Sequence, residues 1–405
     1  MSEESSEKSA LVPRLRFPEF QDSEEWKAKS LASVCNVLQG YGFPESLQGR
    51  TEGRYPFCKV SDISRAVAEN GGLLAKAANY VGDSDLLELR AKLIPIGTTV
   101  FAKIGEALRL NRRAFVQHEC LIDNNAVGLK GVEGIADDYF IHLLSQLIDL
   151  NEHCGGAVPS VNKSTLEAIK VIVPDLDEQQ KIADCLSSLD ELITAETQKL
   201  GALKTHKKGL MQQLFPREGE TVPRLRFPEF RGAGEWGDRS LESVSNGISS
   251  GKDQNDPDGL YDLYGSTGVI GKTSTASYRG EFLLVARVGA NAGLLNKSGG
   301  EFGVTDNTLV IRLNDSVNLN FVFYYLDDLS LNKLIFGSGQ PLITGGQLKA
   351  LSLYFPSETE QQKIADCLSS LDNLITTQSQ KIDTLKTHKK GLMQQLFPVL
   401  DEVPA

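Results

Sequence analysis

Residues 264–273 read YGSTGVIGKT, a glycine-rich turn before Gly-Lys-Thr, the residue types that cradle a nucleotide's phosphates. Such a loop needs a glycine five residues before the Gly-Lys pair, and Ser266 stands there, with no βαβ nucleotide-binding unit following. ATP binding is therefore not expected. Residues 174–181, PDLDEQQK, set carboxylates beside a lysine as a nuclease site would, but the stretch recurs as PSETEQQK at 356–363 with Ser357 in place of Asp175. Helix entry and capping explain it better. Of the five histidines, His206 and His388 are one repeat position, and His118, His142 and His153 lack partners at zinc spacing. The six cysteines form no CxxC pair and read as reduced structural thiols. No NPPY or DPPY of an amino-methyltransferase and no glycine-rich cofactor loop after a strand is present. The chain is expected to be non-catalytic, with no cofactor and no metal.

What remains is chemistry for binding. A net charge of −11 argues against a nonspecific DNA binder, because phosphates must be met by Lys and Arg. Basic residues must then be concentrated locally, and in the first variable block the densest group is Lys103, Arg109, Arg112 and Arg113, the last three within LRLNRRAF. Arg can fork onto a guanine or hold a phosphate, and a solvated loop suits the same residues. Two polar loops also stand out: Gln39, Gly40 and Tyr41, and residues 251–255 with Lys252 and Gln254. Their Gln and Asn side chains suit adenine edges, and they suit turns equally well.

The elements that position these residues come from a chain that repeats itself at two spacings. Residues 12–20, VPRLRFPEF, return unchanged at 222–230, and Trp26 returns as Trp236. Residues 178–216 return at 360–398 with 32 of 39 positions identical, whereas the intervening blocks share almost nothing. With 405 residues, 40% hydrophobic and 23% charged, the chain is an ordinary globular protein of two or more domains. It has no run of 18 apolar residues and a polar, acidic start, so no membrane span or signal peptide is expected, and the cytoplasm is.

The shared block is helical. Ile182, Leu186, Leu189, Ile193, Leu200 and Leu203 step by fours and threes with the polar Glu196 filling one seam position, as do Ile364, Leu368, Leu371, Ile375, Ile382 and Leu385 with Gln378. This is a heptad seam, bounded by Pro174 and Pro216 in the first copy, about 58 Å long at 1.5 Å per residue. Residues 178–194 carry four acids and one lysine, and 195–216 four lysines and one acid. The second copy repeats the gradient, with three acids and one lysine in 360–376, then four lysines and one acid in 377–398. A parallel pair would set like charges side by side, so the two helices are expected to pack antiparallel. Between the shared blocks, 98–104, 282–288 and 309–313 are β-rich, and 139–150 and 321–332 are amphipathic helices. Matching ends at Leu166, Ile169, Val171 and Pro174, and at Leu348, Leu351, Leu353 and Pro356, suggest one fold for both variable blocks.

Two variable regions alternating with two shared ones, the RLRFPEF opening and the EQQKIADCL to GLMQQLF helix resemble the specificity (S) subunit of type I restriction-modification enzymes. The resemblance covers essentially the whole chain. It implies an α+β protein: two α/β target-recognition domains separated by two long antiparallel α-helices in a pseudo-twofold internal repeat. The segments are 1–26, an opening; 27–177, recognition domain 1; 178–216, spacer helix 1; 217–236, the repeated opening; 237–359, recognition domain 2; and 360–405, spacer helix 2 and tail. Each domain would read one half of a split site in double-stranded DNA, and the helices would dock two methyltransferase subunits, joined by up to two motor-nuclease subunits. Recognition domains of the family often carry a Y-G-S-x-G-x-I-G stretch, which makes Ser266, Thr267 and Lys272 candidate DNA contacts, joined by Arg287 and Asn291; Gln340, in the GSGQP turn, is a further candidate that suits turn chemistry as well. The alternative is a two-domain coiled-coil adaptor that binds only proteins.

Overall fold

The computed structural model describes residues 11–335 and 341–398. The chain divides into two compact units, Met1–Thr197 with Lys381–Ala405, and Gln198–Gln380. Two helices of 39 residues each, Leu176–Leu214 and Glu358–Leu396, contribute to both. The seam is deepest near the domains, where Ile182, Leu186, Ile364 and Leu368 are buried, and Ile382 is buried near the middle of its helix. Leu189 and Leu371 are half-buried against the domain cores, and Ile193, Leu200, Leu203, Ile375 and Leu385 are half-buried farther along the helices.

The charge gradient along the helices predicts antiparallel packing, and each unit shows it. In the first unit Lys389 Nζ lies 2.7 Å from Asp190 Oδ1 and Lys381 pairs with Glu196, so one chain direction rises as the other falls. In the second, Lys207 Nζ lies 2.7 Å from Asp372 Oδ1, while Met211 and Leu214 share a core with Ile364 and Leu368.

The two variable domains have one sheet plan. Domain 1 orders its main sheet Cys35–Gln39, Ala126–Gly131, Thr99–Ala102, Ala114–Val116, Leu73–Leu74. Domain 2 orders Ser245–Ser250, Thr308–Leu313, Phe282–Ala286, Leu295–Ser298. In each, a second small sheet pairs two strands in parallel: Tyr55–Cys58 with Leu121–Ile122, and Tyr261–Gly265 with Glu301–Val304. The central strands are apolar on both faces, and Val100, Phe101, Leu284 and Val285 are fully buried, so each sheet is covered on both sides. One cover is a short helix, Asp138–Leu147 or Leu319–Leu329, whose first turn is capped by Asp137 or Asn318.

The duplicated openings close these units. Arg16 forks onto Glu178 at 2.9 and 2.7 Å and donates to the carbonyls of Ser23 and Glu24. Arg226 does the same to Glu360, Ala233 and Gly234. Gln179 donates to the carbonyls of Ile135 and Pro174 and accepts from Asp137 N; Gln361 accepts from Asn318 N and donates to Pro356 O. The EQQK motif is thus a structural clasp, in which a buried carboxylate and amide tie opening, domain and long helix together. Leu15 N donates to Gln395 O and Trp26 packs edge-on to Phe397, 5.9 Å between ring centroids. Leu225 N donates to Gln213 O in the same way.

Candidate nucleic-acid interface

At one end of each main sheet the backbone follows the same path through unlike sequence. The residue after strand Thr99–Ala102, Lys103, donates its N–H to Asn125 O at 2.8 Å, and its carbonyl accepts from Val161 N at 3.0 Å. The residue after Phe282–Ala286, Arg287, donates to Asn307 O at 2.9 Å and accepts from Ile343 N at 2.8 Å. Two residues on, Gly105 and Gly289, both at positive φ, donate to Pro159 O and Pro341 O. The first strand of each sheet leaves through a glycine, Gly40 or Gly251. A Cβ there would stand 1.9 Å from Asp123 O or 2.1 Å from Val304 O, so only glycine allows this close approach.

In domain 1 this frame brings Gln39 and Lys103 together, with Lys103 Nζ donating to Gln39 Oε1 at 2.6 Å. Burial lowers the Lys103 pKa. Tyr41 is a packing residue: its ring sits against the Phe57, Val81 and Leu121 cluster and its hydroxyl accepts from Lys92 N. Arg113 departs from the sequence expectation of a binding residue. It is 5% exposed, lies 4.5 Å over the Phe101 ring and donates to Ile148 O, and burial pushes its pKa down to about 10. From there it cannot reach a duplex; the apolar Ala-Phe-Val strand that it precedes draws it inward. Arg109 is exposed and pairs with Glu106, its carbonyl accepting from Asn151, and Arg112 is half-buried.

In domain 2, Asp253 N donates to Val304 O, which holds the exposed Lys252 and Gln254 at the same sheet end. Ser266 Oγ donates to Asn307 O at 3.4 Å, and Thr267 is exposed at the hairpin tip beside it. Asn291 is exposed in the turn Gly289–Asn291 after Arg287. Lys272 is paired across its hairpin with Asp262 at 2.8 Å, which offsets its charge. Gln340 lies outside the described residues.

A family model described as "Type I restriction modification DNA specificity domain" matches residues 23–205 and again 235–387. The chain belongs to this family. The MjaVIII type I restriction enzyme specificity subunit of Methanocaldococcus jannaschii is 24% identical over 92% of this chain and 92% of its own. A type I restriction-modification S subunit from M. genitalium shares the fold, with TM-score 0.64 and 14% identity over 96% of this chain and 100% of that one. A chain from a structure addressing complex assembly and conformational transition of the type I R-M system gives TM-score 0.54 and 18% identity, over 92% and 97%.

Within the specificity domains, the residue that sequence reading passed over is the asparagine at the centre of each frame, Asn125 or Asn307. Both are exposed, and each receives the N–H of the neighbouring cation. They are separated by the same 182 residues as the long helices, so the repeat spacing, carried back into the diverged block, would have found them.

Proposed function

We propose that the chain is the non-catalytic specificity subunit of a type I restriction-modification complex, reading a split, asymmetric DNA site with one half assigned to each variable domain. What supports this reading is a single frame built twice with different side chains: Lys103, Gln39 and Asn125 in one domain, Arg287, Ser266 and Asn307 in the other. Equal backbones frame each reader alike, and unlike side chains make the halves differ. Two methyltransferase subunits dock on the long helices, where Leu192 and Leu374, one repeat position, remain 40% and 54% exposed and offer apolar anchors. Up to two motor-nuclease subunits join this cytoplasmic assembly.

The test is a gel shift of the chain purified with its methyltransferase subunits. One bipartite duplex should be bound far more tightly than random DNA. Equal, weak affinity for every duplex would instead fit an adaptor that binds only proteins. Exchanging residues 237–355 for the second domain of another specificity subunit should change one half-site and leave the other.

A further inference from the structure

Lys103 and Arg287 hold one frame position in two domains that share little sequence, and among the described residues neither forms an ion pair, although Asp123 lies near enough to Lys103 to favour its charged form. This separates them from Arg109 and Lys272, whose charges are taken by Glu106 and Asp262. A half-buried cation outside any ion pair, at the mouth of a polar turn, is poised for a ligand rich in acceptors.

The donor and acceptor inventory narrows that ligand. The ammonium of Lys103 can only donate, so its contact with Gln39 Oε1 fixes the amide orientation and leaves the NH2 as the free group of Gln39. The pair therefore presents donors alone. Arg287 presents a guanidinium, again donors alone, and its Nε is enclosed without a partner among the described residues. In the major groove adenine sets a donor beside its acceptor, cytosine offers a donor and thymine sets a methyl beside one acceptor. Guanine alone offers two adjacent acceptors, O6 and N7.

We propose that Lys103 with Gln39 reads a guanine in one half-site and that Arg287 reads a guanine at the corresponding place in the other. The half-sites then share one G·C pair, and differ around it because Lys252, Gln254 and Thr267 have no counterparts of the same chemistry in domain 1. The assignment rests on the DNA-reading function proposed above.

The experiment is selection from a randomised duplex library by the full chain assembled with its methyltransferase subunits, followed by binding of the selected duplex over a range of salt. Lys103→Ala and Arg287→Ala should each relax one G·C pair, in different half-sites, by on the order of 10–100-fold while the remaining positions hold. Arg287→Lys should keep the wild-type salt dependence and still lose discrimination at that pair, because it retains charge and loses the fork. Melting temperature and co-purification with the methyltransferase establish that each variant is folded. If an alanine variant fails either control, Arg287→Lys and Gln39→Leu carry the same test. Uniform weakening over all sequences with a shallower salt slope would make these residues phosphate contacts and overturn the assignment. Relaxation at an A·T pair, or no relaxation, would overturn it as well. If the wild-type complex selects a split site and the variants keep it, this assignment alone fails; if it selects no duplex, the DNA-reading function fails with it.

Discussion

Tyr139 and Tyr324 occupy different turns of corresponding domain helices, yet their hydroxyls reach the same repeat position of the long helices, Asp190 and Asp372. Each aspartate also receives a lysine from the opposite helix, Lys389 or Lys207. Burial, with the adjacent carboxylate, pushes both phenol pKa values up, so the tyrosines stay protonated and donate. Two unlike domain surfaces have thus met one repeated acceptor by different routes, which marks the aspartate as the joint between domain and long helix. Asp190→Asn should cost about 1–3 kcal/mol, and Asp372→Asn less, its side chain being 38% exposed. A double-mutant cycle of Tyr139→Phe with Asp190→Asn, read by thermal denaturation, should be non-additive. Strictly additive effects would show that the contact carries no coupling.

The two buried forks, Arg16 to Glu178 and Arg226 to Glu360, have side chains no more than 12% exposed. Removing one partner leaves a buried charge, so Glu178→Gln or Arg226→Ala should destabilise its unit by about 3–5 kcal/mol. The double replacement Arg16→Met with Glu178→Met should recover most of that loss, since the desolvation cost of both charges goes with them. Urea titration measures both. A double variant as unstable as the single one would mean that Arg16 acts chiefly through its bonds to the Ser23 and Glu24 carbonyls.

The large architecture was legible because it was written twice. Heptad spacing marked both long helices, and the charge gradient gave their direction, since lysines late in one helix need acids early in the other. The candidate interface was legible only in part. Arg113 has the same composition cues as Arg109 and Arg112, and nothing local says that its side chain turns under Ile148 and over Phe101. Tyr41 looked like a loop aromatic because the cluster that holds it comes from Phe57, Val81 and Leu121, far along the chain. The pairing of Gln39 with Lys103 spans 64 residues and depends on strand order, which periodicity does not give.

His142 should give the first unit an acid-sensitive component. It is 5% exposed, with Nδ1 against Thr99 Oγ1 and Nε2 against Gln146, and burial, helped by Lys389 and Arg113, pushes its pKa down to about 3. The folded state then keeps the ring neutral while the unfolded chain takes up a proton near the ordinary value of about 6.5. The sign follows: the contribution is fully present above about pH 6.5 and is lost as pH falls toward 3, at up to about 1.4 kcal/mol per pH unit. Stability of wild type minus His142→Leu, measured from pH 7 to pH 4.5, should therefore fall with acidity. A difference independent of pH would mean that the folded state protonates His142 as readily as the unfolded chain.

Residues 1–216 alone would lack the Lys381–Phe397 stretch that completes the first unit, exposing Trp26 and Phe140, which now pack on Phe397 at 5.9 and 5.3 Å. A second copy of the fragment can supply the missing piece. Phe215 is the repeat counterpart of Phe397, the two long helices differ at only seven of the 39 shared positions, and Lys207 is the counterpart of Lys389, ready to pair with Asp190. The fragment should therefore form an antiparallel homodimer whose interface reproduces the present helix contacts, and with its methyltransferase it should recognise an inverted repeat of the first half-site. Sedimentation reads the first outcome and methylation mapping the second. Phe215→Ala in the fragment should weaken dimerisation, since truncating a buried aromatic typically costs about 3–5 kcal/mol. A strictly monomeric fragment would show that the two helices are not interchangeable, and a dimer still requiring the asymmetric site would remove the assignment of one half-site to each domain.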